Sequence, residues 1–553
     1  MKKSFPVLLI IFVLCCVVTL ASCMRGEKPH THTEQIIPAT SSTCTQAGFS
    51  EGVKCSSCDE ILIAQELIPM LEHDYSIEAV IDSTCSEQGY TKHACACGAY
   101  YKDNYTDLID HDYGAWYMYR DETTPVEGEG RRDCQREGCK DYKTHAASSG
   151  FTYSVNSDKT TCTLTKIGTC TDTELFLPFS IDGYEVTVIG DYAFSRCSSL
   201  TAVLIPGSVI SIGASAFWEC SSLTNVLIPD SIISIGSRAF EACDSLTSIV
   251  IPNSVTSFGG GVFYSCDSLV NVKLPDSLES IEYAMFGHCK SLISIDIPDT
   301  VTSIGGSAFA NCTSLASIDI PEFVTKIGSS AFERCTSLTT VVIPELVTSI
   351  AASTFSYCES LTSVVIPESV TSIGNEAFEG CRFLQSIDIP DAVTSIGGYA
   401  FYCCTSLESI DMPKSLNTIG DHAFYFCSSL QSIEIPNSVT SIGEYAFHEC
   451  ESLISVKIPD SLTSIPLGAF SYCESLQSVE IPNSVTSIGN MAFCRCDSLT
   501  SIVIPKSVTS MDRNVFFSCD NLTIYCEAES KPDGWNDEWN SENCPIVWGF
   551  TDN

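Results

Sequence analysis

The hydrophobic positions of this chain recur with a fixed period of 23 residues. Phenylalanine stands at every 23rd position from Phe194 to Phe516, and cysteine follows three residues later, from Cys197 to Cys519. Proline keeps the same spacing, from Pro206 to Pro505. A period in the twenties, with recurring leucine and isoleucine, predicts a solenoid in which each repeat forms one turn.

One repeat, Asp244–Cys266, reads DSLTSIVIPNSVTSFGGGVFYSC. Its alternation of apolar and polar residues predicts a strand with Ile249 and Ile251 pointing inward. Pro252 ends this strand, because it has no N–H for a ladder hydrogen bond. The last apolar residues are spaced like the inward face of a short helical turn: Val262, Phe263 and Cys266. We therefore expect an α/β solenoid, a right-handed coil of 23-residue turns with a parallel sheet on one face.

The repeat array needs caps, because a single turn cannot bury its apolar face alone. Residues 148–193 supply the first cap and an atypical first turn, and 151–170 alternates as a β-hairpin does. The array spans 194–522, and residues 523–553 form the second cap. That segment contains three tryptophans, which we interpret as aromatic cover for the last open turn: Trp535, Trp539 and Trp548.

The N-terminus has the pattern of an export signal. Two lysines precede the apolar run Phe5–Leu20, so residues 1–22 are interpreted as a signal peptide. The run ends in Leu-Ala-Ser-Cys at Cys23, which resembles the lipobox of bacterial lipoproteins and implies a diacylglyceryl group on that thiol. An ordinary signal peptide with a chance cysteine is the alternative. We predict an exported protein that meets the membrane through its lipid anchor only, with 23–43 as anchor and linker.

Residues 44–147 are interpreted as tandem Cys/His-rich modules outside the 23-residue period. The first two modules each have three cysteines and one histidine: Cys44, Cys55, Cys58 and His73, then Cys85, Cys95, Cys97 and His111. A third, weaker module has only Cys134, Cys139 and His145. Three thiolates and one imidazole match a tetrahedral zinc site, whereas an exported protein also meets the oxidant that forms disulfides. Structural zinc, disulfides and free thiols all stay open for these modules.

The formal charge of the chain is −40, from 68 acidic and 28 basic residues. Nucleic acid is excluded as a partner, because phosphate contacts need clustered lysine and arginine. The chain has no H-E-x-x-H metalloprotease motif and no Walker-type phosphate loop. We therefore expect no enzymatic activity, and no cofactor in the repeat array.

We interpret the fifteen cysteines of the 23-residue column as a buried, reduced ladder with a structural role. A thiol acts there as a small apolar group and a weak donor. Equivalent atoms on adjacent turns lie about 4.8 Å apart, whereas disulfide formation needs Cβ atoms about 3.8 Å apart. Two further thiols lie outside the column, where we expect more exposure: Cys403 and Cys494.

The residue two positions before each proline points away from the core, onto the exposed face of the predicted sheet. This column carries an acidic stripe, with apolar residues toward its ends: Asp296, Asp319, Asp388, Asp411, Glu434 and Glu480. We predict that these six carboxylates belong to a partner-binding face. A solvated face that only prevents aggregation is the alternative.

The motif C-x-S-L-x-S-I-x-I-P-x-S-V-T-S-I-G-x-x-A-F resembles the BspA-like leucine-rich repeats of bacterial surface proteins. Some repeats depart from it, among them those that contain Met285, Thr354 and Pro466, where we expect local distortion only. The resemblance implies a leucine-rich repeat solenoid at the bacterial cell surface that adheres to host or neighbouring-cell proteins. We therefore predict a lipid-anchored, adhesin-like protein that binds extracellular or cell-surface proteins.

Two other functions compete with adhesion. The chain could serve as a structural stalk of the cell envelope that presents the modules at 44–147. It could also assist an enzyme that handles peptides or polysaccharides, but that role needs aromatic residues across the exposed strand columns, and those columns have none.

Overall fold

The computed structural model describes residues 142–551 without a gap. Of the N-terminal part it describes 33–43, 45–57, 61–69, 72, 76–81, 90–94, 96, 98, 100–103, 117–119 and 129–133. The chain divides into two compact units, and the larger one contains residues 142–551. No helix among the described residues is long and apolar enough to cross a membrane.

Three antiparallel sheets of three strands follow one another in the N-terminal part. Their strands, in spatial order, are Glu34–Ile37, Gly52–Cys55 and Ile61–Ile63; Ser76–Ile81, Tyr90–Ala94 and Tyr100–Asp103; and Tyr142–His145, Glu129–Asp133 and Tyr117–Tyr119. Gly48–Phe49 pairs with Leu67–Ile68 in a further two-stranded sheet. Each middle strand ends at or directly before a cysteine: Cys55, Cys95 and Cys134. The repeated cysteine spacing thus accompanies a repeated β-structure.

The first ladder of the solenoid consists of short strands that precede the prolines, which we call the A strands. They are Ala202–Leu204, Asn225–Leu227, Ser248–Val250, Asn271–Lys273, Thr340–Val342, Ser363–Val365, Ser386–Asp388, Ser409–Asp411, Ser432–Glu434, Ser455–Lys457, Ser478–Glu480 and Ser501–Ile504. Where neighbouring A strands pair, they run parallel, with each residue opposite its equivalent one repeat later, as Ile249 is opposite Val272. This register places one column of side chains along each line of the array.

A second parallel ladder lies after each proline turn, and its members are called the B strands. They are Ser211–Ile212, Ser234–Ile235, Ser257–Phe258, Ser280–Ile281, Ser303–Ile304, Lys326–Ile327, Ser372–Ile373, Ser395–Ile396, Thr418–Ile419, Ser441–Ile442, Ser464–Ile465, Ser487–Ile488 and Ser510–Met511. Most turns of the solenoid therefore contribute a strand to each of two ladders, where the sequence had predicted a sheet on one face.

The segment after each B strand is a succession of turns, so the prediction of a short helical turn is wrong. Two residues in each repeat have left-handed backbone conformation, for example Arg238 (φ 58°) and Ala242 (φ 56°). A right-handed helix cannot contain such residues, because L-amino acids lose roughly 1–2 kcal/mol each in that conformation. Hydrogen bonds to the next turn compensate: Arg238 N–H donates to Gly260 O at 2.9 Å, and Ala242 N–H to Tyr264 O at 2.8 Å.

The core of the array is a column of stacked phenylalanine rings. From Phe194 to Phe516 successive rings lie between 5.2 Å and 5.9 Å apart, nearly parallel to one another. The departures from the repeat motif leave this column intact, since Met285 is fully buried and the Thr354 hydroxyl donates to Ala351 O at 2.8 Å. One continuous hydrophobic core therefore runs through the array and both caps.

Each end of the phenylalanine column is closed by an aromatic ring set on edge. At the first end the predicted hairpin is confirmed, with Thr152–Val155 antiparallel to Thr161–Lys166, and Phe151 meets Phe194 at an interplanar angle of 87°. At the second end Trp539 meets Phe516 at 79°. The cap strands are Glu174–Phe176, Ser180–Ile181 and Tyr184–Ile189 at the first end, and Thr523–Cys526 and Ile546–Trp548 at the second.

Candidate interaction surfaces

The six predicted carboxylates lie on one exposed face, which we call the sheet face. Four of them belong to A strands, whereas Asp296 and Asp319 occupy the equivalent position in turns that have no A strand. Each is exposed to solvent, while the residues on either side of it are buried or half-buried, as Ile387 and Ile389 are buried around Asp388. The in-register ladder explains this, because alternate residues of a strand point to opposite sides. The structure thus confirms the orientation that the sequence predicted; partner binding by these residues stays a prediction.

The carboxylates form two groups along the sheet face. Asp388 lies directly opposite Asp411 in the parallel ladder, and Glu434 follows in the next repeat; Glu434 and Glu480 are separated by Lys457. Asp296 and Asp319 form the other group, earlier in the chain. Two exposed valines, Val342 and Val365, lie between the groups. Like charges directly opposite one another in a ladder destabilise it. The group that contains Asp388, Asp411 and Glu434 therefore concentrates negative charge that folding does not require.

One member of the same column departs from the expected orientation. Leu204 is 2% exposed, although the alternation predicts an exposed side chain. Phe176 lies opposite it in the ladder, the His145 ring stacks on Phe176 at 4.2 Å, and Ser148 N–H donates to Phe176 O at 2.8 Å. The segment before the cap therefore covers the sheet face at its first end.

The predicted lipid and metal ligands fall almost entirely outside the described residues. Cys23 is among these, as are Cys44, Cys58, His73, Cys85, Cys95, Cys97 and His111. Cys55 is described: it ends the strand Gly52–Cys55, it is buried, and its sulfur accepts a hydrogen bond from Ser57 N–H at 3.4 Å. Lipidation and zinc binding both stay predictions.

The column cysteines from Cys220 to Cys519 are buried and all point in the same way, whereas Cys197 in the first turn is half-buried. From Cys220 to Cys519 each Sγ lies 3.0–3.3 Å from the carbonyl oxygen of the phenylalanine in the preceding turn, as Cys335 does from Phe309 O. A thiol donates to a carbonyl, whereas a thiolate does not. Burial also keeps these thiols protonated, since it raises the pKa of Cys266 and of Cys312 to about 12.

The two thiols outside the column differ from each other. Cys403 is half-buried, as expected, whereas Cys494 is 3% exposed and therefore as protected as the column itself. Burial raises the pKa of Cys494 to about 11. The expectation of a more exposed Cys494 is wrong.

One serine fits a hydrolase sequence pattern. Gly48-Phe49-Ser50-Glu51-Gly52 reads G-x-S-x-G, which in hydrolases is a sharp turn between a strand and a helix. Here Ser50 lies between the strands Gly48–Phe49 and Gly52–Cys55, and its hydroxyl accepts a hydrogen bond from Glu66 N–H at 2.8 Å. The surroundings are those of a turn serine and not of a nucleophile elbow.

Sequence analysis missed a surface on the opposite side of each turn. We call it the turn face: the two residues before and the two residues after each buried Ala-Phe pair or its equivalent, such as Gly260, Gly261, Tyr264 and Ser265 around Val262-Phe263. Four consecutive turns place rings there in mutual contact, the aromatic cluster: Tyr399, Tyr402, His422, Tyr425, Tyr445, His448 and Tyr472. The signal was available in the sequence as YAFY, HAFY and YAFH, but it lies outside the strand columns.

His448 is the most buried polar member of the aromatic cluster. It is 8% exposed; one ring nitrogen contacts the Ser471 hydroxyl, and the other lies 3.2 Å from a carboxylate oxygen of Glu449. Burial, and secondarily the neighbouring His422, lowers the pKa of His448 to about 4. The imidazole is therefore neutral at neutral pH.

Comparison with known proteins agrees with the repeat geometry. The model of the BspA type leucine rich repeat region matches residues 179–293, 279–407 and 394–523. A leucine-rich repeat protein from Bacteroides ovatus is 28% identical over 65% of this chain and 94% of its own, with a TM-score of 0.50. A leucine-rich cell surface protein from Faecalibacterium prausnitzii is 29% identical over 74% and 98% of the two chains, with a TM-score of 0.36. No curated protein matches. Since the matched repeats cover more than half of the chain, it belongs to the BspA-type leucine-rich repeat family.

Proposed function

We propose that this protein is a lipid-anchored, adhesin-like protein of the bacterial cell surface that binds extracellular or cell-surface proteins through its sheet face. Membership of the BspA-type family supports a surface location and a role in protein interaction. No catalytic role enters the proposal.

The observation that carries the proposal is the group Asp388, Asp411 and Glu434 in adjacent turns. Their side chains are exposed, and the backbone beneath them is fixed by the ladder and by a buried core. Fourteen steps of about 4.8 Å give an array of roughly 70 Å, which suits a protein partner better than a small ligand. A partner with a basic face fits these carboxylates, and charge across such an interface acts mainly on the association rate and its salt dependence.

The test uses the chain without residues 1–23 and a panel of immobilised extracellular-matrix and cell-surface proteins. Asp388→Lys, Asp411→Lys and Glu434→Lys together should slow association and remove its salt dependence, with unfolding unchanged. A matched control makes the same change of charge at exposed acids away from the sheet face: Glu451→Lys, Glu474→Lys and Asp497→Lys. Equal losses in the two triple variants would show a general charge effect and would reject the sheet face as the binding surface.

The anchor is tested separately, because Cys23 lies outside the described residues. Mass spectrometry of the native N-terminus should show Cys23 as the first residue, carrying a diacylglyceryl group. Cys23→Ser should release the protein from the membrane fraction. A mature chain that starts elsewhere with an unmodified terminus contradicts the anchor and leaves the binding proposal standing.

The competing proposal, a stalk that presents the N-terminal modules, is favoured by the three similar small sheets. Their middle strands end at Cys55 or at the residue before Cys95 and Cys134 in the sequence, so the cysteine order is repeated together with the strand. Residues 24–150, purified under reducing conditions, should carry up to two zinc ions by elemental analysis if the modules are metal sites. If these residues bind the protein panel and residues 150–553 do not, the stalk is the correct function.

A further inference from the structure

A pocket opens on the turn face between residues 237 and 333, separate from both the sheet face and the aromatic cluster. Its volume is about 460 Å³, within the range of about 300–1,000 Å³ for small-molecule sites. Arg238 and Glu333 lie in the outer turns of its lining. The lining contains no aliphatic side chain larger than alanine, so the site is not an opening into the apolar core.

Glycines on adjacent turns create one wall of the pocket. Gly260, Tyr283 and Gly306 occupy the same column in three successive turns. A Cβ on Gly260 would lie 3.7 Å from Tyr283 Cδ1, and one on Gly306 would lie 3.5 Å from Tyr283 Cδ2. Because neither neighbour has a side chain, the Tyr283 ring is uncovered on both sides and is 65% exposed.

The opposite wall is polar and aromatic. The Tyr264 and His288 rings lie 5.0 Å apart, tilted by 59°, and Tyr264 rests over Gly287, whose Cβ would come within 2.9 Å of the ring. His288 Nε2 lies 3.4 Å from Asn311 Nδ2, so the neutral imidazole accepts from the amide. Burial lowers the pKa of His288, which agrees with a neutral ring.

The chemistry of this lining selects a class of ligand. A bare tyrosine face attracts the weakly positive C–H groups of a ligand, and the planar side chains of Asn311, His288 and Glu333 pair with hydroxyl groups. An anionic ligand does not fit, because Arg238 already faces Glu241 at 3.5 Å and the chain has a net charge of −40. A molecule with C–H faces and hydroxyl edges but no charge is a sugar.

We propose that this turn-face pocket binds a neutral saccharide, with Tyr283 as its stacking platform. This site is independent of the proposed protein-binding sheet face, so a single molecule would engage both glycan and protein. Polysaccharide handling needs exposed aromatic residues. The exposed strand columns have none, whereas the turn face provides Tyr283.

The test screens the chain without residues 1–23 on immobilised gluco-, manno-, galacto- and N-acetylglucosamine oligosaccharides, with sialylated and sulfated glycans and a peptide array beside them. The chain should be retained by at least one neutral oligosaccharide and released by the free sugar. Tyr283→Ala should weaken this binding about tenfold, equivalent to about 1.4 kcal/mol. Tyr192→Ala is the matched control, because Tyr192 is 59% exposed on the same face and should bind as the unchanged chain does.

A second variant fills the pocket and leaves Tyr283 in place. Gly306→Leu should cover the Tyr283 ring and also abolish binding, and the fold accepts leucine at this column because Leu467 occupies it in another turn. Retention only by anionic glycans or only by peptides overturns the saccharide proposal. Neutral-sugar binding that both Tyr283→Ala and Gly306→Leu retain also overturns the proposal. The lysine substitutions at Asp388, Asp411 and Glu434 should leave sugar binding unchanged, which separates this test from that of the protein-binding face.

Discussion

The buried columns and the turn face lie a few residues apart in the same turn. The buried columns nevertheless keep their residue type along the array, whereas the turn face changes from one turn to the next. The phenylalanine column keeps one residue type in all fifteen turns, and its rings are buried. The turn-face column that contains Tyr283 runs from glycine to tyrosine, asparagine, aspartate and leucine within the same array. In-register stacking explains the contrast: a buried residue packs against its own equivalents, so the whole column must be self-complementary. An exposed column has no such requirement and can carry recognition.

The largest expected effect comes from breaking the buried column at its centre. Phe332→Ala removes a ring that lies 5.5 Å from both Phe309 and Phe355, and it should lower the free energy of unfolding by about 3–5 kcal/mol. Phe383→Ala is the matched control, because that ring is 59% exposed and should change stability by less than about 0.5 kcal/mol. Urea denaturation of both variants tests the contrast, and similar losses would show that the rings are not the core.

The cysteine column should show the next largest effect. Cys335→Ser replaces a buried thiol with a more strongly solvated hydroxyl beside Phe309 O and should cost about 1–3 kcal/mol. Cys403→Ser, at a half-buried thiol, should be nearly neutral. In the native state an alkylating reagent should modify Cys403 and spare Cys335 until denaturation. Regular disulfides between successive turns would contradict the reduced ladder.

Periodicity made the solenoid predictable, because it records the positions where a repeat meets its own copies. The inward direction of Ile249 and the exposure of Asp388 followed from alternation alone. The helical turn was not predictable from spacing, because Val262, Phe263 and Cys266 have the same separations in a chain of left-handed and right-handed turns. Only the backbone shows Arg238 and Ala242 with positive φ.

The two candidate sites also differ in whether the sequence could predict them. The exposure of the carboxylates on the sheet face could be predicted from the alternation within a single strand. The pocket at Tyr283 could not, because it depends on glycines 23 residues away on each side. Reading single repeats conceals such a site, because it is formed by differences between adjacent turns. The expected exposure of Leu204 was wrong for a related reason: Leu204 lies opposite Phe176, and the His145 ring that stacks on Phe176 belongs to no repeat.

A smaller effect should come from acid, acting on the aromatic cluster. The pKa of His448 is about 4 in the fold against its ordinary 6.5, so the unfolded chain takes up a proton that the folded chain does not. Stability that is present above pH 6.5 is therefore lost as the pH falls toward 4, by about 1–2 kcal/mol at pH 5. His448→Gln removes this titration, whereas Glu449 and the nearby tyrosines remain in both proteins.

The measurement is the difference in unfolding free energy between wild type and His448→Gln at pH 7 and at pH 5. Burial raises the pKa of Glu449, which has the opposite effect on the pH dependence, but this contribution is common to both proteins and largely cancels in the comparison. A wild type that loses no more stability than the variant between pH 7 and pH 5 would contradict the burial of a neutral His448.

The smallest effect is expected on the sheet face, between the two acidic groups. Val342 is 62% exposed at the end of the A strand Thr340–Val342, so Val342→Ser should change the free energy of unfolding by less than about 0.5 kcal/mol. A slightly lower strand propensity sets the sign of that change. The neighbouring Val341 is 2% exposed, and Val341→Ser should be far more damaging because it buries an extra hydroxyl. If the two serine variants unfold alike, the exposed valine is covered in the intact protein, and the contrast between buried and exposed columns fails at this point.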